Sequence, residues 1–252
     1  MRSILIALTF LTFSTEAIFR PGYGGGGHRP PSSYHGGHDN CKTSQAPTTP
    51  TTPVPTTPAK TCPEGFKAFE RVPSEANSQT SVWCMGMTNT DAAIKISDGD
   101  ALCSAMHSSA VPTMFENDAE REYFATAWTE KLTAMGQGLL GSVGMDGRLI
   151  SECKSKDKAI LESDACSGTK SFVLRDKHTD PSYAWTIWAE TEPNHHHWTF
   201  DIEECIQFAI WNNRPNRSKL LNDIYCNMTV APNDPANRVY WNFGMICGML
   251  PI

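Results

Sequence analysis

The chain is 252 residues long, carries a formal net charge of −6 and contains nine cysteines. No Lys/Arg stripe forms, which excludes a nucleic-acid surface, and no Cys-x-x-Cys pair occurs, which excludes the usual structural zinc sites. Cysteines spread this widely belong to a disulfide-bonded extracellular chain.

The first segment reads as an address. Arg2 gives a positive start, residues 4–13 are apolar, and Thr15-Glu16-Ala17 ends on a small residue. Residues 1–17 are therefore expected to be a signal peptide cleaved after Ala17, and the mature protein to be secreted. The apolar run is shorter than the ~20 residues that cross a bilayer, and no later run is long enough. Residues 18–41 are rich in Gly, His, Tyr and Pro, cannot bury a core and are expected to be disordered. His28, His35 and His38 belong to that polar tail. Residues 42–60 repeat Thr-Thr-Pro, a composition that keeps a chain extended and offers hydroxyls for O-linked sugars. The two stretches make residues 18–60 a stalk, and the folded domain is expected over 61–252. An odd cysteine count leaves one thiol over. Cys41, isolated in the tail, is the candidate, either linking a dimer or capped by a small thiol.

Within the domain, residues 98–108 follow acidic starters and predict a helix with Leu102, Cys103, Ala105 and Met106 inward. A second helix is predicted over about 118–135. Asn117 and Glu120 have capping-box spacing, Phe124, Trp128, Leu132 and Met135 form one apolar face, and Gly136 is a natural stop. Short apolar runs between turn residues predict strands at 139–143, 171–174, 205–211 and 241–247. Residues 176–204 have no steady period, and so long a loop in a compact domain tends to be functional. Helices early, strands late and one long loop indicate an α+β fold.

Seven segments in order resemble the C-type lectin family: Cys62-Pro-Glu-Gly-Phe, Ala101-Leu-Cys103, Leu139-Leu-Gly-Ser-Val143, Glu192-Pro-Asn194, Cys205-Ile-Gln-Phe, Leu221-Asn-Asp-Ile-Tyr-Cys226 and Ile246-Cys247. The resemblance covers essentially residues 62–250. It implies a C-type lectin-like fold, with two helices packed on short antiparallel sheets. It implies disulfides Cys62–Cys84, Cys103–Cys247 and Cys205–Cys226, with Cys153–Cys166 closing a local insertion.

The resemblance also implies a calcium site. Glu192, Asn194, Glu203, Asn222 and Asp223 fill the family's five coordinating positions, three with carboxylates and two with amide oxygens. Calcium takes six to eight such oxygens in flexible geometry. Pro193 matches the family's cis-proline. In the family, Glu-Pro-Asn accompanies mannose-type sugars with equatorial vicinal hydroxyls, and Gln-Pro-Asp accompanies galactose-type sugars. The chain departs from the pattern in three places. Leu221 stands where the family has Trp. The interval between Asn194 and Glu203 is long and holds His195, His196, His197, Trp198 and Phe200. The sequons at Asn216 and Asn227, both expected to carry N-linked glycans, flank Asn222-Asp223. Successive histidines on an extended loop point in opposite directions and read as exposed loop polarity, ahead of a zinc site. Trp198 and Phe200 read as packing under the loop, ahead of stacking on a sugar. No Gly-x-Ser-x-Gly or His-Glu-x-x-His occurs, so catalysis is not expected. The expected function is secreted, calcium-dependent binding of mannose-type glycans or glycoproteins. The alternatives are a calcium-independent protein-binding or structural module of the same fold, and a secreted protein that binds metal through its histidines.

Overall fold

The computed structural model describes residues 60–136, 138–197, 201–229 and 235–252. The expected signal peptide, the stalk up to residue 59, Cys41, Trp198 and Phe200 lie outside the described residues.

Among the described residues eight strands form one sheet in the order β1-β2-β8-β4-β6-β7, with β3 beside β8 and β5 beside β4. They are β1 (Lys67–Glu70), β2 (Val82–Met87), β3 (Val111–Pro112), β4 (Leu140–Leu149), β5 (Phe172–Val173), β6 (Cys205–Trp211), β7 (Leu220–Ile224) and β8 (Asn242–Met249). The pairs are antiparallel except β4 with β8, which run parallel through Ser142–Asn242 and Gly144–Met245. That central pair is the one parallel ladder among the named strands of an otherwise antiparallel sheet, as expected. The chain enters β4 and β8 from the same end, because Ser142 N–H bonds Trp241 O and the Ser142 hydroxyl bonds Val239 O, just before β8 begins.

The two main helices are α1 (Gly99–Met106) and α2 (Asp118–Ala134). Strand alternation sorts the core between them. Trp83 and Met85 of β2, Phe243 and Ile246 of β8, and Ile206 and Phe208 of β6 join Phe124, Trp128 and Leu132 of α2 in one cluster. Cys84, Met245, Cys247 and Met249 join Cys103 of α1 in another. Two β8 glycines make close packing possible. A Cβ on Gly248 would collide with the Trp83 indole, and one on Gly244 with the Thr88 carbonyl.

The helices differ from expectation at their ends. In α1 only Gly99 and Cys103 are buried, and Ala105 is exposed. Ala105 follows Cys103 by two residues, and positions two apart do not share a helix face. In α2 the Asn117 side chain accepts the Glu120 N–H at 3.0 Å, the expected cap. The Glu120 carboxylate does not return that bond. It accepts the Glu116 N–H at 2.7 Å and pairs with Arg71. The helix stops at Ala134, so Met135 is its half-buried C-cap, and Gly136 follows at φ +67°. β4 is twice its predicted length because Gly144 and Gly147, beyond the predicted end at Val143, interrupt its apolar run.

Four disulfides staple the domain: Cys62–Cys84, Cys103–Cys247, Cys153–Cys166 and Cys205–Cys226. Cys103–Cys247 ties α1 to β8, and Cys205–Cys226 joins the start of β6 to the residues just after β7.

Candidate ligand-binding site

The long loop between β5 and β6 is anchored at its base by buried polar groups. Asp146 on β4 accepts the backbone N–H groups of Arg175 (2.6 Å) and Asp176 (2.8 Å), both on the same carboxylate oxygen. Asp176 in turn accepts the hydroxyls of Thr113 and Thr179. Arg71 reaches across from the end of β1 and donates to His178 O at 2.6 Å and Thr179 Oγ1 at 2.8 Å. Sequence reasoning named none of Arg71, Asp146 and Asp176. The available signal at Asp146 was a carboxylate directly after the apolar and glycine-rich run 139–145.

Further along, a one-turn helix, α3 (Pro181–Ala184), shortens the irregular stretch. The loop then runs beside β7: Ala189 N–H bonds Leu221 O at 2.8 Å, and Leu221 N–H bonds Ile187 O at 2.9 Å. This burial of the β7 edge leaves the Leu221 side chain fully enclosed, so it packs as core.

The five predicted ligands then converge from three segments. Glu192–Pro193 is a cis peptide bond. Immediately after it, the N–H groups of Asn194 (3.2 Å) and His195 (2.8 Å) donate to the two oxygens of Asp223. His196 N–H donates to Asn194 Oδ1 at 2.7 Å and to Glu203 Oε2 at 3.1 Å, and Glu203 N–H returns to His196 O at 3.1 Å. His197 and Ile202 form an isolated antiparallel bridge. The interval between Asn194 and Glu203 therefore leaves and returns at the same point, which keeps Glu203 beside Asn194. Asn222 and Asp223 sit on β7 opposite Gln207 and Ile206 of β6.

These residues frame a cavity of about 270 Å³. Glu192, Asn194, His196, Glu203, Arg217 and Asn222 form its polar side, and Ile224, Tyr225, Met228 and Tyr240 its apolar side. Asp223 does not line it. It is fully buried behind the wall, where it holds the loop backbone. Burial, and then the charge of Asp223, push the Glu203 carboxyl up to about 9. Burial likewise raises Asp223, against the pull of its two amide donors. Two neighbouring carboxyls thus sit in a poorly hydrated wall, an arrangement that costs free energy unless a cation or protons neutralise it.

One cationic side chain, Arg217, reaches this cavity from a position the sequence did not single out. The Arg217 guanidinium forms an ion pair with Glu192, whose side chain is only 2% exposed. It also approaches Asn222 Oδ1 at 3.4 Å. The second Glu192 oxygen accepts from the Asn194 amide.

The histidines correct an expectation. His196 and His197 are exposed, but His195 is buried. Its ring stacks on Phe172 at 5.7 Å, and Nε2 lies 3.1 Å from the Ser171 hydroxyl. A positive φ of 50° at His195 turns the chain so that this ring faces inward while its neighbours face out. Among the described residues no three His, Cys, Asp or Glu side chains form a metal-sized group. The sequon residues Asn216 and Asn227 are both exposed.

Against known proteins, the model of the C-type lectin domain-containing protein 141/158 family matches residues 68–250. The chain belongs to the C-type lectin domain family. It is 42% identical to C-type lectin domain-containing protein 141 of Caenorhabditis elegans, over 98% of this chain and 97% of that one. It is 33% identical to C-type lectin domain-containing protein 158 of the same organism, over 79% and 92% of the two chains. Among solved structures, a calcium-independent type II antifreeze protein superposes with a TM-score of 0.43 at 15% identity, over 77% of this chain and 98% of that one. The C-type lectin-like fold, α+β with four disulfides, follows from the membership and the architecture together. So does the general role, a lectin-like module for binding carbohydrate or protein. Among the described residues no helix is long and apolar enough to cross a membrane.

Proposed function

We propose that this domain binds mannose-type glycans at the cavity framed by Glu192, Asn194, Glu203 and Asn222, with calcium held there by these four residues and Asp223. The observation that carries the reading is the convergence of oxygen-bearing side chains from three separate segments: Glu192, Asn194, Glu203 and Asn222 line the cavity, and Asp223 stands behind it. The donor set suits a hard cation, since carboxylate and amide oxygens are the ligands calcium takes. The charges suit it too. Two lining residues, Glu192 and Glu203, are carboxylates against one guanidinium, and Asp223 adds a third carboxyl behind them.

Bound calcium would supply a Lewis-acidic centre for sugar hydroxyl oxygens. The chain itself supplies the rest. Carboxylates accept hydrogen bonds from vicinal hydroxyls, and Asn amides donate to them. Asp223 positions the Asn194–His195 backbone through two amide bonds, which fixes where the Asn194 side chain starts. The apolar wall of Ile224, Met228 and Tyr240 suits the C–H face of a hexose. The reading also takes the chain to be secreted, carried on its Thr/Pro stalk and glycosylated at Asn216 and Asn227. A calcium-independent module of the same fold is the second reading. Its support is the Arg217–Glu192 pair, which already places a positive charge against one member of the set.

Calorimetric titration of the mature chain with calcium tests the proposal. Saturable binding near ~0.1–1 mM, the range of extracellular modules, is expected, and it should be lost in Glu203→Gln and Asn222→Ala. Absence of binding up to about 10 mM, well above that range, would overturn the calcium reading.

A further inference from the structure

We infer that Arg217 is an internal plug of the cation site: its guanidinium occupies Glu192 and Asn222, and calcium can bind there only after it withdraws. The inference rests on the calcium reading above and adds a residue and a competition to it.

The geometry is specific. Arg217 follows the Asn212–Asn216 turn region that leads into β7, and its side chain lines the cavity. Its partners, Glu192 on the loop and Asn222 on β7, are two of the five proposed ligands, taken from two different segments. One guanidinium therefore bridges the loop to the strand, a link that coordination by both residues to one cation would otherwise make. The arm is not free to wave. The guanidinium lies 5.5 Å from the Trp211 ring centroid, and the Arg217 side chain is 20% exposed. Arg is suited to the role because it is always charged, planar and weakly hydrated compared with an ammonium.

Arg217 pairs with Glu192 and reaches Asn222, on one side of the donor set. With Arg217 in place only part of the donor set can face a cation. When it swings out toward solvent over Trp211, Glu192 and the Asn222 amide oxygen become available together. A protein whose competent state is populated a fraction of the time binds with its affinity reduced by that fraction. Arg217 would thus set the calcium concentration at which the site fills.

The test is calcium calorimetry on the mature chain and three variants. Arg217→Gln removes the charge and keeps the Asn216-x-Ser218 sequon. Arg217→Lys keeps the charge. Arg214→Gln removes a neighbouring charge, over Trp211 at 4.7 Å, that does not reach the ligands. We expect Arg217→Gln to bind calcium about tenfold more tightly than the wild type, as for a competent state freed from one-tenth occupancy. Arg217→Lys and Arg214→Gln should stay within about threefold of it, less than the tenfold that 1.4 kcal/mol represents. Equal affinity in wild type and Arg217→Gln would overturn the plug and leave the calcium reading standing. An equal gain in Arg214→Gln would overturn it too, by reducing the effect to general charge. No binding in any of the four proteins would overturn the calcium reading itself, and the plug with it. Unchanged thermal unfolding of Arg217→Gln would establish that the comparison is between folded proteins.

Discussion

Arg71 offers the sharpest test of how the domain holds its long loop. Its side chain and that of Glu120 are both fully buried. They meet through two hydrogen bonds, at 2.7 and 2.9 Å. The same guanidinium donates to His178 O, Thr179 Oγ1 and Met114 O, so one side chain ties β1, α2 and the loop base. In Arg71→Met the Glu120 carboxyl remains in its apolar pocket with Glu116 nearby and no cation. Breaking a buried pair from one side costs about 3–5 kcal/mol, so that loss is expected at pH 7. Replacing both partners by apolar residues of similar size is often close to neutral. Arg71→Met with Glu120→Leu should therefore recover a large part of the loss, a coupling of about 2 kcal/mol or more. Acid should also help the single variant. Burial already holds Glu120 above the usual carboxylate value with Arg71 present, and removing Arg71 raises it further. The folded state then takes up the proton first, so stability falls as pH rises through the window between the unfolded and folded values. Urea unfolding followed by tryptophan fluorescence at pH 7 and pH 5 measures all of this. A single-variant loss under about 1 kcal/mol, or strict additivity in the double variant, would refute the reasoning.

Three other outcomes follow from the same physics. Replacing both cysteines of Cys103–Cys247, which span 144 residues, should cost about 5 kcal/mol by loop entropy, against about 3 kcal/mol for Cys153–Cys166, which span 13; chemical denaturation of the two double variants checks the order. Gly244→Ala would drive a methyl into the Thr88 carbonyl, part of the backbone, and should lower stability by about 1–3 kcal/mol or prevent folding, read by yield and circular dichroism. Asp146→Ala strands two amide N–H groups and should cost about 3 kcal/mol, whereas Asp146→Asn keeps one oxygen for both and should cost about 1 kcal/mol. Because burial raises Asp146, the wild-type domain should lose stability from this group as pH rises out of the usual carboxylate range, and Asp146→Asn should flatten that slope in melting temperature against pH.

Much of the frame was legible because it is written in short-range patterns. The α2 face repeats Phe124, Trp128 and Leu132 at helical spacing, and β6 is an apolar run broken only by Gln207. β1 and β2 were missed because each is short, and β7 because Asn222 and Asp223 make it look like loop. A strand flanked on one edge by β6 and on the other by residues 187–189 can bury such residues only through tertiary partners. The candidate ligands were legible as a set through the family resemblance, but their arrangement was not. That Asp223 faces backbone amides, that His195 turns inward, and that Arg217 lies across Glu192 depend on contacts between segments far apart in sequence. Nothing in Asn216-Arg217-Ser218 beyond a sequon marks that arginine.

The most direct test of the central claim is retention of the mature chain on immobilised mannose in millimolar calcium. The account predicts retention that is released both by free mannose and by a calcium chelator, and that is absent in Asn222→Ala. Retention that survives the chelator would contradict the role of calcium. Failure to be retained on mannose, with calorimetric calcium binding intact, would contradict the sugar assignment.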